Sequence, residues 1–264
     1  MSRIAKTWLP WIVMGLIICA CGVIVWLQWT ALLRHKHRHG RTRPIVCIDA
    51  GHPSETNSAR RIVNGTCELE INWEMAGRLA DELRSRGVEV VMTKKSRDEL
   101  VLNHVRAFIA NDCGADLAIH LHCDAGPGRG YTIYYPNREG TIEGYTGPPR
   151  DVIDSSRRLA YLLHSGMADM LAGSLHDRGV KGDDHTKIGR SKGTLTTSCF
   201  SEVPTVTVEM CFLTNRHDAD FIKSPAGQAK LTRALANGIA TYLLATNCRE
   251  KSGKLARIVH EDRE

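Results

Sequence analysis

The chain has 264 residues, of which 42% are hydrophobic, and its 35 Lys/Arg against 29 Asp/Glu give a formal charge of +6. That suits one large α/β domain with an appendage. Seven of the basic residues precede the first acidic one, Asp49, leaving 28 Lys/Arg against 29 Asp/Glu in the body. A near-neutral body argues against a nucleic-acid enzyme, which needs a basic face to meet phosphates. The nine cysteines are irregularly spaced and include no CxxC pair. Several lie in apolar runs and read as small buried hydrophobes, and the set suggests neither a zinc ribbon nor a disulfide framework.

After a short tail (1–7), residues 8–33 are uncharged and mostly apolar. That is long enough for a helix to cross a hydrocarbon core of roughly 30 Å. Trp8 and Trp11 near one end and Trp26 and Trp29 near the other resemble interfacial belts. A transmembrane signal anchor in the cytoplasmic membrane is therefore expected. A basic, histidine-rich linker (34–43) follows, with His35, His37 and His39. Five Lys/Arg flank the span on this side and two on the other, which by the positive-inside rule favours a cytoplasmic domain.

The body, 44–246, alternates strands and helices. Residues 44–49 read as a buried strand running into Ala50, Gly51 and His52, with glycine allowing a sharp turn. His52 then lies at a strand's carboxyl end, where open α/β sheets place ligands. Residues 67–87 form an amphipathic helix through Leu69, Trp73, Ala76, Ala80 and Leu83, with Glu68 in its first turn, where the helix dipole favours a carboxylate. A strand is predicted over 88–92. A helix over 98–113 turns Leu102, Val105, Phe108 and Ile109 inward.

Asp116–Asp124 is an apolar strand ending in His120 and His122. Alternation sends both imidazoles to one side, and neutral imidazole is the commonest metal ligand. The spacing then predicts a strand over 130–135, a Gly/Pro-rich loop over 136–150 and a helix over 154–175. A polar stretch carrying His185 follows over 179–201, then a strand over 205–211, a closing helix over 226–245 and a disordered charged tail over 247–264. This pattern implies a single three-layer α/β/α sandwich with a mostly parallel sheet.

Glu209 interrupts a β-branched strand. A buried carboxylate needs a partner, either a cation with its water or a buried arginine such as Arg106. His52, Glu68, His122 and Glu209 thus all stand at strand ends or helix starts. Two histidines and one carboxylate are a catalytic zinc set with a position left for water, and a further carboxylate can move the proton.

The stretches Ile45–His52, Gly65–Asn72, Arg106–Asn111, Leu121–Asp124 and Pro204–Asn215 resemble the zinc-dependent N-acetylmuramoyl-L-alanine amidases of the amidase-3 family. The resemblance runs in one order from about Pro44 to Ala245. It implies one Zn2+ per chain held by His52, Glu68 and His122, with Glu209 as general base and acid. The implied reaction cuts the amide between N-acetylmuramic acid and L-alanine in peptidoglycan. That substrate places the domain outside the cytoplasmic membrane, against the charge count, and leaves an activating partner protein undefined.

The chain departs from the family pattern in places. His120 stands for serine, Asp124 for asparagine and Lys94 for arginine. Met210 and Cys211 replace small residues, which predicts a narrower cleft. Residues 136–150 are too few for the inhibitory helix of some relatives. Asp49 is a candidate partner of a ligand histidine, His120 a competing ligand or such a partner, and His185 a candidate substrate contact. The alternatives are a non-catalytic zinc-containing module that binds wall precursors, and a zinc peptidase of other specificity.

Overall fold

The computed structural model describes residues 43–261, with side chains to Thr246, and four positions before them (Val13, Met14, Leu16 and Gly22). The predicted membrane span and linker otherwise lie outside the described residues. No helix among those described is long and apolar enough to cross a membrane.

The elements are β1 (Ile45–Ala50), α1 (Glu68–Ser85), β2 (Glu89–Met92), α2 (Asn103–Asp112), β3 (Leu117–Asp124), β4 (Tyr131–Tyr135), β5 (Gly140–Ile142), β6 (Tyr145–Gly147), α3 (Arg150–Leu171), β7 (Asp177–Gly182), α4 (Lys187–Lys192), α5 (Thr196–Cys199), β8 (Thr205–Phe212), α6 (Arg216–Lys223) and α7 (Pro225–Glu261). Six strands make one sheet in the order β2-β1-β3-β8-β4-β7, while β5 and β6 pair separately. Within the six-stranded sheet only the β8–β4 pairing is antiparallel, as is the separate β5–β6 pair. The mostly parallel sheet with helices on both faces is the expected architecture.

The two faces differ in chemistry. One carries Val46, Ile48, Ile119, Leu121, Val206, Val208 and Ile133, packed against α1, α3 and α7. Each fully buried Leu, Ile or Met there contributes roughly 1.5–3 kcal/mol. Helix α1 supplies Ile71, Met75, Leu79 and Leu83 to this side, while its Leu69 packs in a separate cluster with Ala59 and Cys67. Its Glu68 and Glu70 suit the helix start and Arg84 the end. It stops at Gly87, whose φ of 80° lets Val88 N–H reach Leu83 O at 3.1 Å, the glycine-terminated closure of a helix.

The other face has a small apolar cluster of Ile45, Cys47, Ala110, Ala115, Ala118 and Val203 at its base. Above it the register runs Asp49↔His120↔Thr207↔Tyr134, then His122↔Glu209↔Thr132. Two rows of polar side chains therefore stand on neighbouring strands, toward the carboxyl ends of β1, β3 and β8.

Several expectations need correction. Helix α2 begins at Asn103, not at 98, and buries Arg106, Ala107, Ala110 and Asn111. Phe108 is 43% exposed, so its hydrophobicity misplaced the inward face. Residues 136–150 hold the β5–β6 hairpin, and the polar stretch after 175 holds β7, α4 and α5. With glycine at 179 and 182, β7 lacks an apolar alternation, which an edge strand does not need. Met210 and Cys211 are fully buried in the main core and do not line the cleft. Helix α7 continues to Glu261, past the expected break, because Arg, Glu, Lys, Leu and Ala after 246 favour helix.

Candidate metal centre

Three elements deliver three ligand-type side chains to one point. His52 follows β1, Glu68 opens α1, and His122 lies near the end of β3. Glu68 Oε1 is 3.2 Å from His52 Nε2 and 3.0 Å from His122 Nδ1. One ligand atom from each of the three lies within 4.8 Å of the others, and the two imidazoles meet edge to face at 4.8 Å.

The chain is arranged to hold His52. Its φ of 64° is left-handed, which costs an L-residue about 1–2 kcal/mol. The carbonyl of His52 accepts from Lys94 Nζ, which also donates to Arg97 O at 2.8 Å. Arg106, fully buried, donates to Ala50 O at 3.2 Å and Pro53 O at 2.7 Å. These bonds lace down the turn on both sides of the histidine. Burial, then the Arg106 charge, pushes Lys94 down to about 8. Gly51 is needed for another reason than the one read from sequence. A Cβ at this position would collide with the His122 ring, so the absent side chain makes the second imidazole's seat.

The donor set fits a cation. His52 Nδ1 lies 3.3 Å from Asn57 O, so the neutral ring carries its proton there and leaves Nε2 bare. That bare nitrogen faces a carboxylate oxygen, lone pair against lone pair, an arrangement relieved by a proton or a metal ion between them. Burial foremost, then the His52 charge, lowers the His122 pKa against the pull of Glu68, favouring the neutral, ligating form. Burial works to raise Glu68, but the bond from His122, joined by His52 when a proton sits on its Nε2, outweighs it and keeps the carboxylate ionised. Cys123 N and Asn72 Nδ2 also donate to Oε1, at 3.3 and 3.4 Å.

Glu209 stands beside this trio, in register with His122. Its Oε2 is buried with no hydrogen-bond partner. Burial, then the charges of Asp124 and Glu68, pushes its pKa well above the ordinary carboxylate range. The Arg106 pairing weighed for it does not occur, because Arg106 Nη1 bonds Asp49 Oδ1 at 2.5 Å. A cleft of about 190 Å3 opens over Glu209, His52 and His122, walled by Tyr134, Thr207, Asn103, Thr186, Ile188 and residues 195–197.

The remaining candidates separate. Asp49 does not touch His52 or His122; it bonds Arg106, Thr93 and His120 Nδ1, the last at 3.0 Å. The other nitrogen of His120 meets Thr205 Oγ1 at 3.1 Å. With both ring nitrogens engaged away from the trio, His120 is no competing ligand. Asp124 ends β3, and burial first raises its pKa. His185 is exposed and paired with Asp184 at 3.0 Å; its neighbours Thr186 and Ile188 line the cleft instead. Sequence reasoning missed Tyr134 and Thr207, although both share the parity of Thr132 and Glu209 on their strands.

A family model described as N-acetylmuramoyl-L-alanine amidase matches residues 46–241. Uncharacterized protein YqiI of Bacillus subtilis (strain 168) is 31% identical over 199 residues, 75% of this chain and 84% of that protein. N-acetylmuramoyl-L-alanine amidase LytC of the same organism is 28% identical over 197 residues, 75% of this chain and 35% of LytC. Among solved structures, N-acetylmuramoyl-L-alanine amidase AmiC2 of Nostoc punctiforme superposes with a TM-score of 0.61 at 23% identity, covering 78% of this chain and 99% of that one. The CwlD amidase from Clostridioides difficile, solved in complex with the GerS lipoprotein, gives 0.62 at 18% identity, over 77% and 100%.

Proposed function

Because this chain belongs to the N-acetylmuramoyl-L-alanine amidase family, we propose that it hydrolyses the amide between N-acetylmuramic acid and L-alanine in peptidoglycan. His52, Glu68 and His122 would hold one Zn2+, and Glu209 would move the proton. The observation that carries this is the convergence of three ligand atoms beside a buried, unpartnered carboxylate oxygen.

Zinc in such a site lowers the pKa of water toward neutrality and polarises a carbonyl oxygen. The chain supplies the rest. Glu209 Oε2, with no protein donor to satisfy, accepts a proton from the attacking water and delivers it to the leaving nitrogen of alanine. The cleft walls orient the substrate and limit bulk water, which strengthens these electrostatic effects. Lys94 and Arg106 hold the turn that carries His52, so the ligand is placed before metal or substrate arrives.

Digestion of purified cell wall, with and without a chelator, tests the proposal. Release of peptides with a new amino-terminal L-alanine, lost on chelation and restored by zinc, is expected. Wall left intact by the zinc-supplemented protein, or cleavage elsewhere in the peptide, would sink it.

The same proposal places the domain outside the cytoplasmic membrane, tethered by residues 8–33. Most of its described cysteines are buried and would resist an impermeant thiol reagent on either side. A Ser191→Cys variant, at an exposed position, removes that ambiguity. Labelling in intact cells, after permeabilising any outer membrane, is expected. Labelling only after lysis of the inner membrane would reverse the topology.

A further inference from the structure

We propose that Arg178 and Lys181, on the edge strand β7, form a carboxylate-binding subsite that receives an acidic side group of the peptide leaving group. The proposal rests on the amidase reading of the same cleft. Strand β7 shifts register between Tyr131 and Ile133 of β4, at Gly179 with its φ of 72°. That bulge re-aims the strand's side chains, and Lys181 ends up opposite Tyr134, itself a cleft wall.

Arg178 is held without an anion. Its guanidinium centres 4.6 Å from the Phe212 ring. Gly128 leaves the space it fills, since a side chain there would collide with Nη1. Among the described residues no carboxylate lies within 4.0 Å of it. Stacking therefore fixes the planar fork while its hydrogen-bonding edges stay free for bidentate capture. Phe212, which the guanidinium overlies, pairs with Asp124 at the carboxyl end of β3, so Arg178 stands at the sheet end that carries Glu209, beside the cleft, and its charge is felt at Glu209, Asp124 and Tyr134.

The sheet order sets the direction. His52 and His122 follow β1 and β3, Glu209 is on β8, Tyr134 on β4, and the two cations on β7. From β8 to β7 is two strand spacings, roughly 10 Å. An extended chain advances about 3.3–3.6 Å per residue, so a peptide cut at Glu209 brings its second or third residue to β7. Of the substrate's two arms, the peptide carries the carboxylates, so it lies toward β7 and the glycan toward β1.

The test is calorimetric, on the full-length zinc-supplemented protein with Glu209→Gln to keep ligands intact. Two probes are compared: an N-acetylmuramoyl-L-alanyl peptide with a free carboxylate on its second residue, and its amide. The free acid should bind at least tenfold more tightly. Arg178→Met with Lys181→Met should erase that preference while leaving the amide's affinity within twofold, and Arg178→Lys should retain part of it. No preference in the parent protein, or equal loss for both probes, overturns the subsite. Hydrolysis of the two compounds by the chain with Glu209 intact is followed separately. Failure to cleave either, with the preference present, sinks the amidase reading and spares the subsite. Cleavage without preference does the reverse.

Discussion

Two buried carboxylates sit on the same face of the same sheet and are treated in opposite ways. Asp49 is saturated by Arg106, Thr93 and His120. Burial works to raise its pKa, but the Arg106 charge and then the His120 bond overcome it and hold the acid well below the ordinary range. Glu209, two strands away, has an oxygen with no partner, and burial followed by neighbouring negative charge drives it the other way. A saturated buried acid is a structural strut, because every bond it makes holds backbone in place. An unsaturated one is a cost to the fold, which points to chemistry there.

Glu209→Gln tests the second half of that contrast most directly. Hydrolysis should fall about 10²- to 10⁴-fold, the usual weight of a general base or acid, with bound zinc unchanged at one per chain. Loss of the metal together with activity would make Glu209 a ligand instead. Asp49→Asn tests the first half. Breaking one side of a buried ion pair costs about 3–5 kcal/mol, so denaturant unfolding should shift by that much. A variant of wild-type stability would show that Arg106 is content with its carbonyl partners alone.

How much of this was legible beforehand follows the same divide. Period-two alternation placed His120 and His122 on one side of their strand, helix periodicity put Glu68 at a first turn, and Glu209 stood out as a lone carboxylate in a β-branched strand. These are local rules that nominate candidates; the choice of His52, Glu68 and His122 as the ligand set came from the family resemblance. Which of His120 and His122 reaches the trio was not a local question. It depends on Asp49 lying directly across β1 from His120, a register that no single strand encodes. Likewise Gly51 looked like a turn residue, yet the left-handed φ belongs to His52, and the glycine clears space for a ring 71 residues away in sequence. Strand β7 was invisible because an edge strand with two glycines carries no hydrophobic period, and with it went Arg178.

Gly51→Ala makes that last reading quantitative. The added methyl must displace the His122 imidazole, and misplacing a ligand ring should weaken zinc binding about 10- to 100-fold, as disturbing a ligand's support does elsewhere. Competition against a chromogenic chelator measures it. Unchanged affinity would mean that the ring relaxes freely and that its seat is not set by residue 51.

The smallest effect separates the two acids by sign. In metal-free protein, the raised pKa of Glu209 means that its ionised form is disfavoured in the fold. The penalty is absent at low pH, where the acid is protonated in both states, and grows as pH rises above the unfolded value of about 4.3. Glu209→Gln should therefore stabilise the apoprotein at pH 7 by about 1 kcal/mol, a gain that vanishes below about pH 4. For Asp49 the native pKa is depressed, so its contribution is complete above about pH 5 and is lost as pH falls through the ordinary value of about 3.9 toward the native one. Asp49→Asn should then be destabilising at pH 7 and converge on wild type in acid. Thermal melts of the three apoproteins from pH 3 to 8 should open into two branches, one above the parent curve and one below. If Glu209→Gln lies on the lower branch, the glutamate has a structural partner after all, and its place in proton transfer loses the physical reason given for it.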